Sequence, residues 1–262
     1  MTLEEIKTIE LNVLKEVHSF CEKNNIKYYL TFGTLLGAIR HNGFIPWDDD
    51  IDIFIEREDY ERFIKTFESN GCYCLSKLNF KEYPFDFAKV CDSNTIKIEP
   101  TRFHKTKKFG IDIDVFPLDY YYEPNFDKKV SKKWRFYRNL WNVSSVDYHF
   151  SNFFKRIAFV IVQFFAKPFT YYSLRRIDKI LHKKSNDAPV GYITGFCVSE
   201  RIRTYKLEWF ENRELHSFEG GLFYIPSKYD ELLSSIYGDY MKLPPEEKRV
   251  SHHDYVVEER KK

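Results

Sequence analysis

The sequence predicts a fold of the α+β class with mixed α/β character: a mixed sheet core flanked by helices, with a helical block in the middle-to-C-terminal half. Three observations predict it. Two segments alternate aspartate with isoleucine or valine, which is the pattern of half-buried strands. Apolar residues recur at helical spacing in the first turns of the chain. A mainly helical pattern then fills about residues 126–186.

Length and composition favour one packed unit. The chain has 262 residues, and we predict a single domain over 1–262 with a mainly helical insertion at about 126–186. Hydrophobic residues make up 43% and aromatic residues 18%, which is enough for a core and argues against disorder. The 41 basic and 39 acidic residues nearly balance, so a dedicated nucleic-acid binder is not expected.

The cysteines and the first residues predict a cytoplasmic protein. Five cysteines at scattered spacings do not form a disulfide framework, and we expect reduced thiols. The first twenty residues are charged and amphipathic, with no apolar core of a signal peptide.

The N-terminal elements follow from capping and turn signals. Thr2 and Glu5 form a capping box, which predicts a first helix over residues 3–23. Then we expect a strand at 27–31, a Gly33-Thr34 turn, a helix at 35–41, a strand at 50–55 and a helix at 58–68.

The later elements are predicted in the same way. Strands are expected near 72–76, 85–90, 95–99, 110–116 and 191–199, with Pro117 ending the fourth of them. Ser227 with Asp230 predicts the start of a helix through residue 236, and Gly238 predicts its end.

The first acidic strand suggests a cation site. Asp48, Asp50 and Asp52 share one parity, whereas the isoleucines at 51, 53 and 55 share the other. Because successive side chains of a strand point to opposite faces, the isoleucines can enter a core while Asp50 and Asp52 stand side by side. Two such carboxylates repel unless a proton or a cation joins them, and Mg²⁺ suits oxygen ligands.

A second strand repeats this pattern. Ile111, Ile113 and Val115 alternate there with Asp112 and Asp114. Asp49 has the opposite parity to the first pair, and Asp112 would lie on the acidic face with or without binding the cation. The sequence therefore predicts that carboxylates from two separate strands meet on one face of the sheet.

Four motifs in this order resemble a known family. They are GTLLGAIRHNGFIPWDDDIDI, FAKVCDSNT, IDIDVFPLD and YGDYMKLPPEEKRVSHH, and together they span about residues 29–253. The chain resembles the LicD/fukutin-type phosphotransferases, which include lipopolysaccharide and teichoic-acid choline-phosphotransferases. This resemblance implies a nucleotidyltransferase-like fold.

The resemblance also implies the chemistry. Asp50, Asp52 and Asp114 would be catalytic and would hold Mg²⁺ or Mn²⁺, and we choose Asp114 as the base for the acceptor hydroxyl. The donor would be nucleotide-activated, with CDP-choline favoured and CMP released. The acceptor would be a cell-surface glycan precursor, such as lipopolysaccharide, teichoic acid or capsule. The alternative donors are another CDP-alditol or a sugar nucleotide. The alternative function is a non-catalytic nucleotide-binding scaffold in envelope assembly.

Further residues are candidates for binding the donor, each with an ordinary alternative. Gly33 and Thr34 would offer backbone N–H groups to a phosphate, or Gly33 is only a turn glycine. Arg40 and Lys89 would pair with phosphates, or they are surface cations or structural ion-pair partners. Trp47 would stack on a base or a quaternary ammonium, or it anchors the turn.

Four more residues complete the candidate site. Asp48 would support the metal ligands from behind or cap the turn at Pro46-Trp47. Arg249, His252 and His253 belong to the last motif, and each would contact substrate or be structural.

The segment 153–172 has two interpretations. It mixes phenylalanine, isoleucine and valine with Lys155, Arg156 and Lys167, as does an interfacial helix that brings an enzyme to a lipid-linked glycan at the inner membrane face. The alternative, which we favour, is a buried helix of the central block.

Overall fold

The computed structural model describes residues 1–79, 83–98, 109–145, 152–250 and 255–260. The helices are α1 (Leu3–Lys23), α2 (Phe32–His41), α3 (Arg57–Thr66), α4 (Phe126–Ser145), α5 (Phe153–Ala166), α6 (Thr170–Leu181) and α7 (Tyr229–Tyr237). The strands are β1 (Tyr28–Leu30), β2 (Asp52–Glu56), β3 (Cys72–Leu75), β4 (Ala88–Asp92), β5 (Thr95–Ile98), β6 (Asp112–Tyr121), β7 (Gly191–Thr194), β8 (Arg203–Tyr205), β9 (Arg213–Phe218), β10 (Gly221–Pro226) and β11 (Val256–Glu259).

The main sheet is mixed, as the sequence predicts. Its strands run in the order β1-β2-β6-β4-β3, and the end of β6 also pairs with β7, which pairs with β8. The β2–β6 pair is parallel, and the other pairs of this sheet are antiparallel. Two smaller ribbons, β9–β10 and β5–β11, stand beside it. The predicted fold class is confirmed.

The isoleucine face of the sheet is covered by two helices. Ile53 and Ile55 of β2 are fully buried, together with Ile113 of β6. Helix α1 contacts β4 and β6, and α3 contacts β2 and β6. The predicted capping box fixes the start of α1, because Thr2 and Glu5 each accept a hydrogen bond from the other's backbone N–H. The opposite face is thereby left for the carboxylates.

Two local predictions are wrong. Helix α2 begins at Phe32, so Gly33 and Thr34 lie in its first turn and not in a turn before it. Phe32 itself has a φ of 46°, a left-handed conformation that is strained for a phenylalanine. Pro117 does not end β6. It sits between the part of β6 that pairs with β4 and the part that pairs with β7, where neither antiparallel partner needs its missing N–H.

The C-terminal helix and ribbons differ from prediction in detail. Helix α7 begins after Lys228 with no side-chain cap, although Gly238, at a φ of 71°, does end it. The strands β8, β9, β10 and β11 were not predicted. All five cysteines are free thiols, as expected.

The helical block lies between β6 and β7 in the chain, where the sequence predicts it. Trp134 of α4 and Leu174 and Ile177 of α6 are buried. Helix α5 is the exception: only Gln163 and Ala166 are buried in it. The favoured interpretation of this segment as a buried helix is therefore wrong. By length and composition alone, the helical run Phe153–Leu181 could cross a membrane. The division into one domain with an insertion stays a prediction.

Candidate active site

Strand pairing places two carboxylates and one ammonium in a row across the sheet. Asp52 of β2 is the register partner of Asp114 of β6, and Asp114 is in turn the partner of Lys89 of β4. Register partners on neighbouring strands present their side chains on the same face. The Lys89 ammonium pairs with Asp114 and with Asp112. The expected meeting of carboxylates from two strands is thus built into the sheet.

The loop before β2 adds Asp48 and Asp50 beside Gly33. A Cβ atom built on Gly33 would lie 2.6 Å from Asp48 Oδ2 and 3.9 Å from Asp50 Oδ1. The first turn of α2 therefore faces these carboxylates directly, and any side chain at residue 33 would displace that of Asp48. Glycine at residue 33 allows the Asp48 carboxylate to come this close to the helix backbone.

Thr34 ties α2 to β2. Its buried hydroxyl accepts a hydrogen bond of 2.8 Å from the Asp52 backbone N–H. The same oxygen lies 3.5 Å from the Asp50 carbonyl oxygen. Because that N–H belongs to the first residue of β2, Thr34 fixes where the strand begins and hence where Asp50 and Asp52 project. The hydroxyl bonds to the backbone of β2, and the predicted contact between a phosphate and the backbone N–H groups of Gly33 and Thr34 stays a prediction.

Burial and mutual repulsion raise the pKa values of these acids. Burial raises the pKa of Asp52 well above its ordinary value, and the charges of Asp50 and Asp114 raise it further. Burial and Asp50 raise the pKa of Asp48 to about 7. Such shifts mark carboxylates that lack enough positive charge around them.

Lys89 compensates this acidity only in part. Burial raises the pKa of Asp114 to about 6 even though Lys89 acts in the opposite direction. Burial also acts on Asp112, but there Lys89 and Lys97 outweigh it and lower the pKa to about 2. Lys97 Nζ lies 3.1 Å from Asp112 Oδ1. Asp112 is thus satisfied by two lysines, whereas Asp114 and Asp52 are not.

The donor set fits a hard divalent cation. Oxygen ligands that repel one another on one face of a sheet are the groups that Mg²⁺ or Mn²⁺ prefers. Within the described residues, no three acidic, imidazole or thiol groups already stand as ready-made metal ligands. The Lys89 ammonium is bonded to one oxygen of Asp114. To coordinate a metal, Asp114 would use its other oxygen or break its bond with Lys89.

Asp49 makes a separate contact, with a residue near the C-terminal end of the described chain. It is buried, and its Oδ2 accepts a hydrogen bond of 2.8 Å from the Tyr255 hydroxyl. The Tyr255 ring lies 4.4 Å below Lys97 Nζ. This pair connects the last described strand of the chain to the back of the site.

Trp47 and Arg249, from motifs about two hundred residues apart, meet at the edge of the site. The Arg249 guanidinium lies 5.7 Å from the centre of the Trp47 ring, and its Nε donates to the Pro244 carbonyl at 2.8 Å. Trp47 also packs against the core. His252 and His253 lie outside the described residues.

Arg40 is held by backbone on the same side. It donates to the Tyr240 carbonyl at 2.8 Å, and partial burial lowers its pKa. Its guanidinium therefore connects the C-terminal motif to α2, and its proposed contact with a phosphate stays a prediction.

Sequence reasoning missed Tyr237 and Arg203. Burial of its hydroxyl, followed by the charges of Asp52, Asp48 and Asp50, raises the pKa of Tyr237, so this hydroxyl lies within electrostatic range of the carboxylates. Arg203 interacts with the same tyrosine, and within the described part of the chain its buried Nε has no hydrogen-bond partner. Tyr237 opens the motif YGDYMKLPP, a signal that could have found it.

Comparison with known proteins identifies the family. The family described as LicD/FKTN/FKRP, nucleotidyltransferase domain, matches residues 25–165. The lipopolysaccharide cholinephosphotransferase LicD of Haemophilus influenzae is 32% identical over 269 residues, covering 97% of this chain and 96% of the relative.

Two further relatives match over shorter regions. An uncharacterized protein of Rickettsia typhi is 36% identical over 124 residues, covering 46% of this chain and 38% of its own. The human ribitol 5-phosphate transferase FKRP is 50% identical over 38 residues, covering 14% of this chain and 8% of its own. These matches confirm the predicted resemblance and the transferase class, and the chain belongs to the LicD/FKTN/FKRP nucleotidyltransferase-domain family.

Proposed function

We propose that this protein is a metal-dependent transferase that moves a phospho-substituent from a nucleotide-activated donor to a hydroxyl of a cell-surface glycan precursor. The observation that carries the proposal is the row Asp52–Asp114–Lys89, with Asp50 and Asp48 beside it. This row is an acidic group whose negative charge is only partly compensated, and a divalent cation would supply the missing positive charge.

Asp50, Asp52 and Asp114 would hold the metal, Mg²⁺ or Mn²⁺. When bound, the ion would neutralise charge on the diphosphate of the donor and on the phosphoryl group in transfer. The chain's own residues do the rest. Burial raises the pKa of Asp114, which makes this carboxylate a stronger base than an ordinary aspartate, and we assign to it the proton of the acceptor hydroxyl.

The transfer balances simply. The acceptor oxygen forms a bond to the phosphorus that carries the substituent, and the bond from that phosphorus to the oxygen of the nucleoside monophosphate breaks. The hydroxyl proton goes to Asp114, and the monophosphate leaves with the electron pair. Lys89 stays beside Asp114 and stabilises its charged form before the reaction.

CDP-choline is our favoured donor, with CMP as the leaving group. The support is the similarity over 97% of the chain to a protein named lipopolysaccharide cholinephosphotransferase. The 38-residue similarity to ribitol 5-phosphate transferases keeps another CDP-alditol as the second candidate. Gly33, Arg40, Trp47, Lys89 and Arg249 are the residues that we expect around the donor.

We place the acceptor among lipopolysaccharide, teichoic-acid and capsule precursors, in lipid-linked form at the inner membrane face, with the protein in the cytoplasm. A non-catalytic nucleotide-binding scaffold of envelope assembly is the alternative from another class. Burying carboxylates whose charge is only partly compensated costs free energy, and a scaffold without catalysis gains nothing from that cost. The acidic row therefore disfavours the scaffold.

Donor binding and turnover test the proposal in two stages. CDP-choline, CDP-ribitol, CDP-glycerol and sugar nucleotides are first screened for binding by the melting temperature of the protein. The correct donor should raise the melting temperature only when Mg²⁺ or Mn²⁺ is present, because a ligand that binds the folded state stabilises it. The donor that stabilises most is then supplied with glycan acceptors, and release of CMP is followed. Binding without release across lipopolysaccharide, teichoic-acid and capsule precursors would support the scaffold. Equal stabilisation with and without divalent ions would contradict the metal.

A further inference from the structure

Helix α5 presents apolar side chains to the outside of the molecule. Seven large residues of this helix are between 53% and 79% exposed, and six of them lie on one side of it: Phe153, Phe154, Val160, Ile161, Phe164 and Phe165. The seventh, Val162, lies off that side. We name these six residues the α5 face. They recur at spacings of three, four and seven residues, so they share one side of the helix.

Helix α5 does not bury its large apolar residues, as an ordinary surface helix does. The residues that α5 buries are Gln163 and Ala166, where it approaches α4. A helix that folds onto its own protein buries its apolar side, because exposing it to water costs free energy. An apolar face of this size on a soluble surface needs a cover.

The surroundings of the α5 face are strongly basic. The block 126–186 contains 14 lysines and arginines against three aspartates and no glutamate, which gives it a charge of +11. The chain as a whole has a net charge of +2, so the rest of it carries −9. Lys155, Arg156 and Lys167 are exposed on or directly after α5. Further exposed cations lie on α4, namely Lys128, Lys129, Lys132, Lys133 and Arg135.

This combination identifies the occupant by charge. Two copies of the protein that met through this face would bring two blocks of +11 together, and their repulsion would oppose the contact. A bilayer rich in anionic lipids offers the reverse: hydrocarbon for the phenylalanines and phosphate groups for the lysines. Basic residues on one side of an apolar helix face are the pattern of a helix that lies in a membrane interface.

The length of α5 favours lying in the membrane over crossing it. Its 14 residues are about 21 Å long, short of the roughly 30 Å of a hydrocarbon core. A short turn containing Pro168 follows, and α6 then buries Leu174 and Ile177 within the protein. The continuous helical run is thus one exposed helix and one packed helix.

We propose that the α5 face and the cations around it dock the protein onto an anionic lipid bilayer, with α5 parallel to the surface and its phenylalanines below the headgroups. The site-bearing sheet stays outside the membrane. This docking surface does not depend on the transfer chemistry, and its test measures no turnover.

Vesicle flotation with the full-length protein tests the proposal. The probes are vesicles of phosphatidylcholine alone and vesicles that also contain phosphatidylglycerol. We expect the protein to float with the anionic vesicles, to float with them much less at about 0.5 M salt, and to stay in the soluble fraction with neutral vesicles. Equal binding to both vesicles, or binding to neither, would overturn the proposal.

A double variant of the face provides the second arm. Phe154→Glu with Phe164→Glu should lower partition onto anionic vesicles by at least about tenfold, because two buried rings are lost and two negative charges are added. The matched control is Leu215→Glu with Leu222→Glu on the β9–β10 ribbon, where both leucines are also exposed. This control should partition like the unmodified protein.

Two further measurements keep the result decisive. Circular dichroism and melting temperature check that the double variant is folded; if it is not, the salt and lipid dependence of the unmodified protein still decides. Sedimentation without lipid tests whether a second copy of the protein covers the α5 face instead. A stable dimer of the unmodified protein that the face variant dissociates, without any vesicle binding, would assign the face to a second copy and would refute the membrane.

Discussion

Strand β6 carries buried acids towards both ends. Nearby positive charge compensates the acid at one end and leaves an acid at the other end only partly compensated. At its far end, Asp119 receives two hydrogen bonds of 2.7 Å from the Arg57 guanidinium, and His182 Nδ1 lies 3.1 Å away. Burial alone would raise the pKa of Asp119, but the positive charge of Arg57 and the hydrogen bonds with Arg57 and His182 outweigh it and lower the pKa. At the near end, Asp114 and its neighbour Asp52 keep raised pKa values despite Lys89.

The difference separates a structural ion pair from a candidate site. Arg57 is also paired with Asp178 at 2.9 Å and with Glu61 at 3.2 Å, so the charges at the far end are satisfied within the fold. The near end carries more negative than positive charge and stays costly until a ligand supplies a cation. One strand therefore carries a structural ion pair at one end and the proposed metal site at the other.

Breaking the satisfied pair should give the largest loss of stability. Arg57→Met leaves the Asp119 carboxylate buried without its main partner, and we expect the free energy of unfolding to fall by about 3–5 kcal/mol. Urea denaturation measures it. The control is Lys206→Met, whose exposed pair with Glu208 should contribute less than about 1 kcal/mol. A loss for Arg57→Met as small as that of the control would remove the distinction between the two ends.

Neutralising the other end should leave the fold intact and remove turnover. Asp52→Asn keeps the shape of the buried side chain and lowers the repulsion around it, so we expect unchanged or higher stability without metal. Transfer, followed by CMP release, should drop by about 10²–10³-fold or more because a ligand of the cation is lost. Asp50→Asn should behave in the same way. If either variant transfers at the unmodified rate, its aspartate is not part of the site.

Removing the tie between α2 and β2 should have a smaller effect on stability. Thr34→Val keeps the volume of the side chain but leaves the Asp52 N–H without its acceptor, a cost of about 1–3 kcal/mol. Thr34→Ser retains the hydroxyl and is the matched control. Should both variants melt at the same lowered temperature, the loss would come from the missing methyl group and not from the hydrogen bond.

The last prediction is a pH dependence of the metal-free protein. The pKa of Asp48 is raised to about 7 in the fold and returns to an ordinary value of about 3.9 on unfolding. Between these values the folded state binds more protons than the unfolded state, so the stability due to this group falls as the pH rises from about 4 to 7.

Asp48→Asn should abolish that contribution. Its melting temperature relative to the unmodified protein should increase over this pH range in the presence of a chelator. Asp239→Asn, at an exposed residue, is the control and should run parallel to the unmodified protein. Added Mg²⁺ should stabilise the unmodified protein more than Asp48→Asn at neutral pH. If the melting temperatures of all three proteins change with pH in parallel, the neighbouring carboxylates do not raise the pKa of Asp48.

Much of the candidate site could be predicted from residues close in the chain. The alternation of aspartate with isoleucine predicted the strands β2 and β6 and the face of each acid, because the pleat has a period of two. The partners of Lys89 could not be predicted in this way. They depend on which strand lies beside β6 and in which register, and that is decided by contacts between distant segments.

The interpretation of α5 failed for a related reason. Its apolar residues repeat at helical spacing whether the helix is buried or covers an exterior surface, so periodicity alone does not choose between the two. The excess of cations over 126–186 was present in the sequence and carries the relevant information, since a buried helix of a soluble core is not surrounded by a large excess of positive charge.

The sequence by itself determined the family, the two acidic strands and the parity that separates Asp49 from its neighbours, because these depend on local pattern and on the order of motifs. Only the tertiary structure decided that Asp114 lies beside Asp52 and under Lys89, that Trp47 meets Arg249, and that α5 faces outward. Such contacts join segments far apart in the chain, and their free energy is settled by packing and charge in three dimensions.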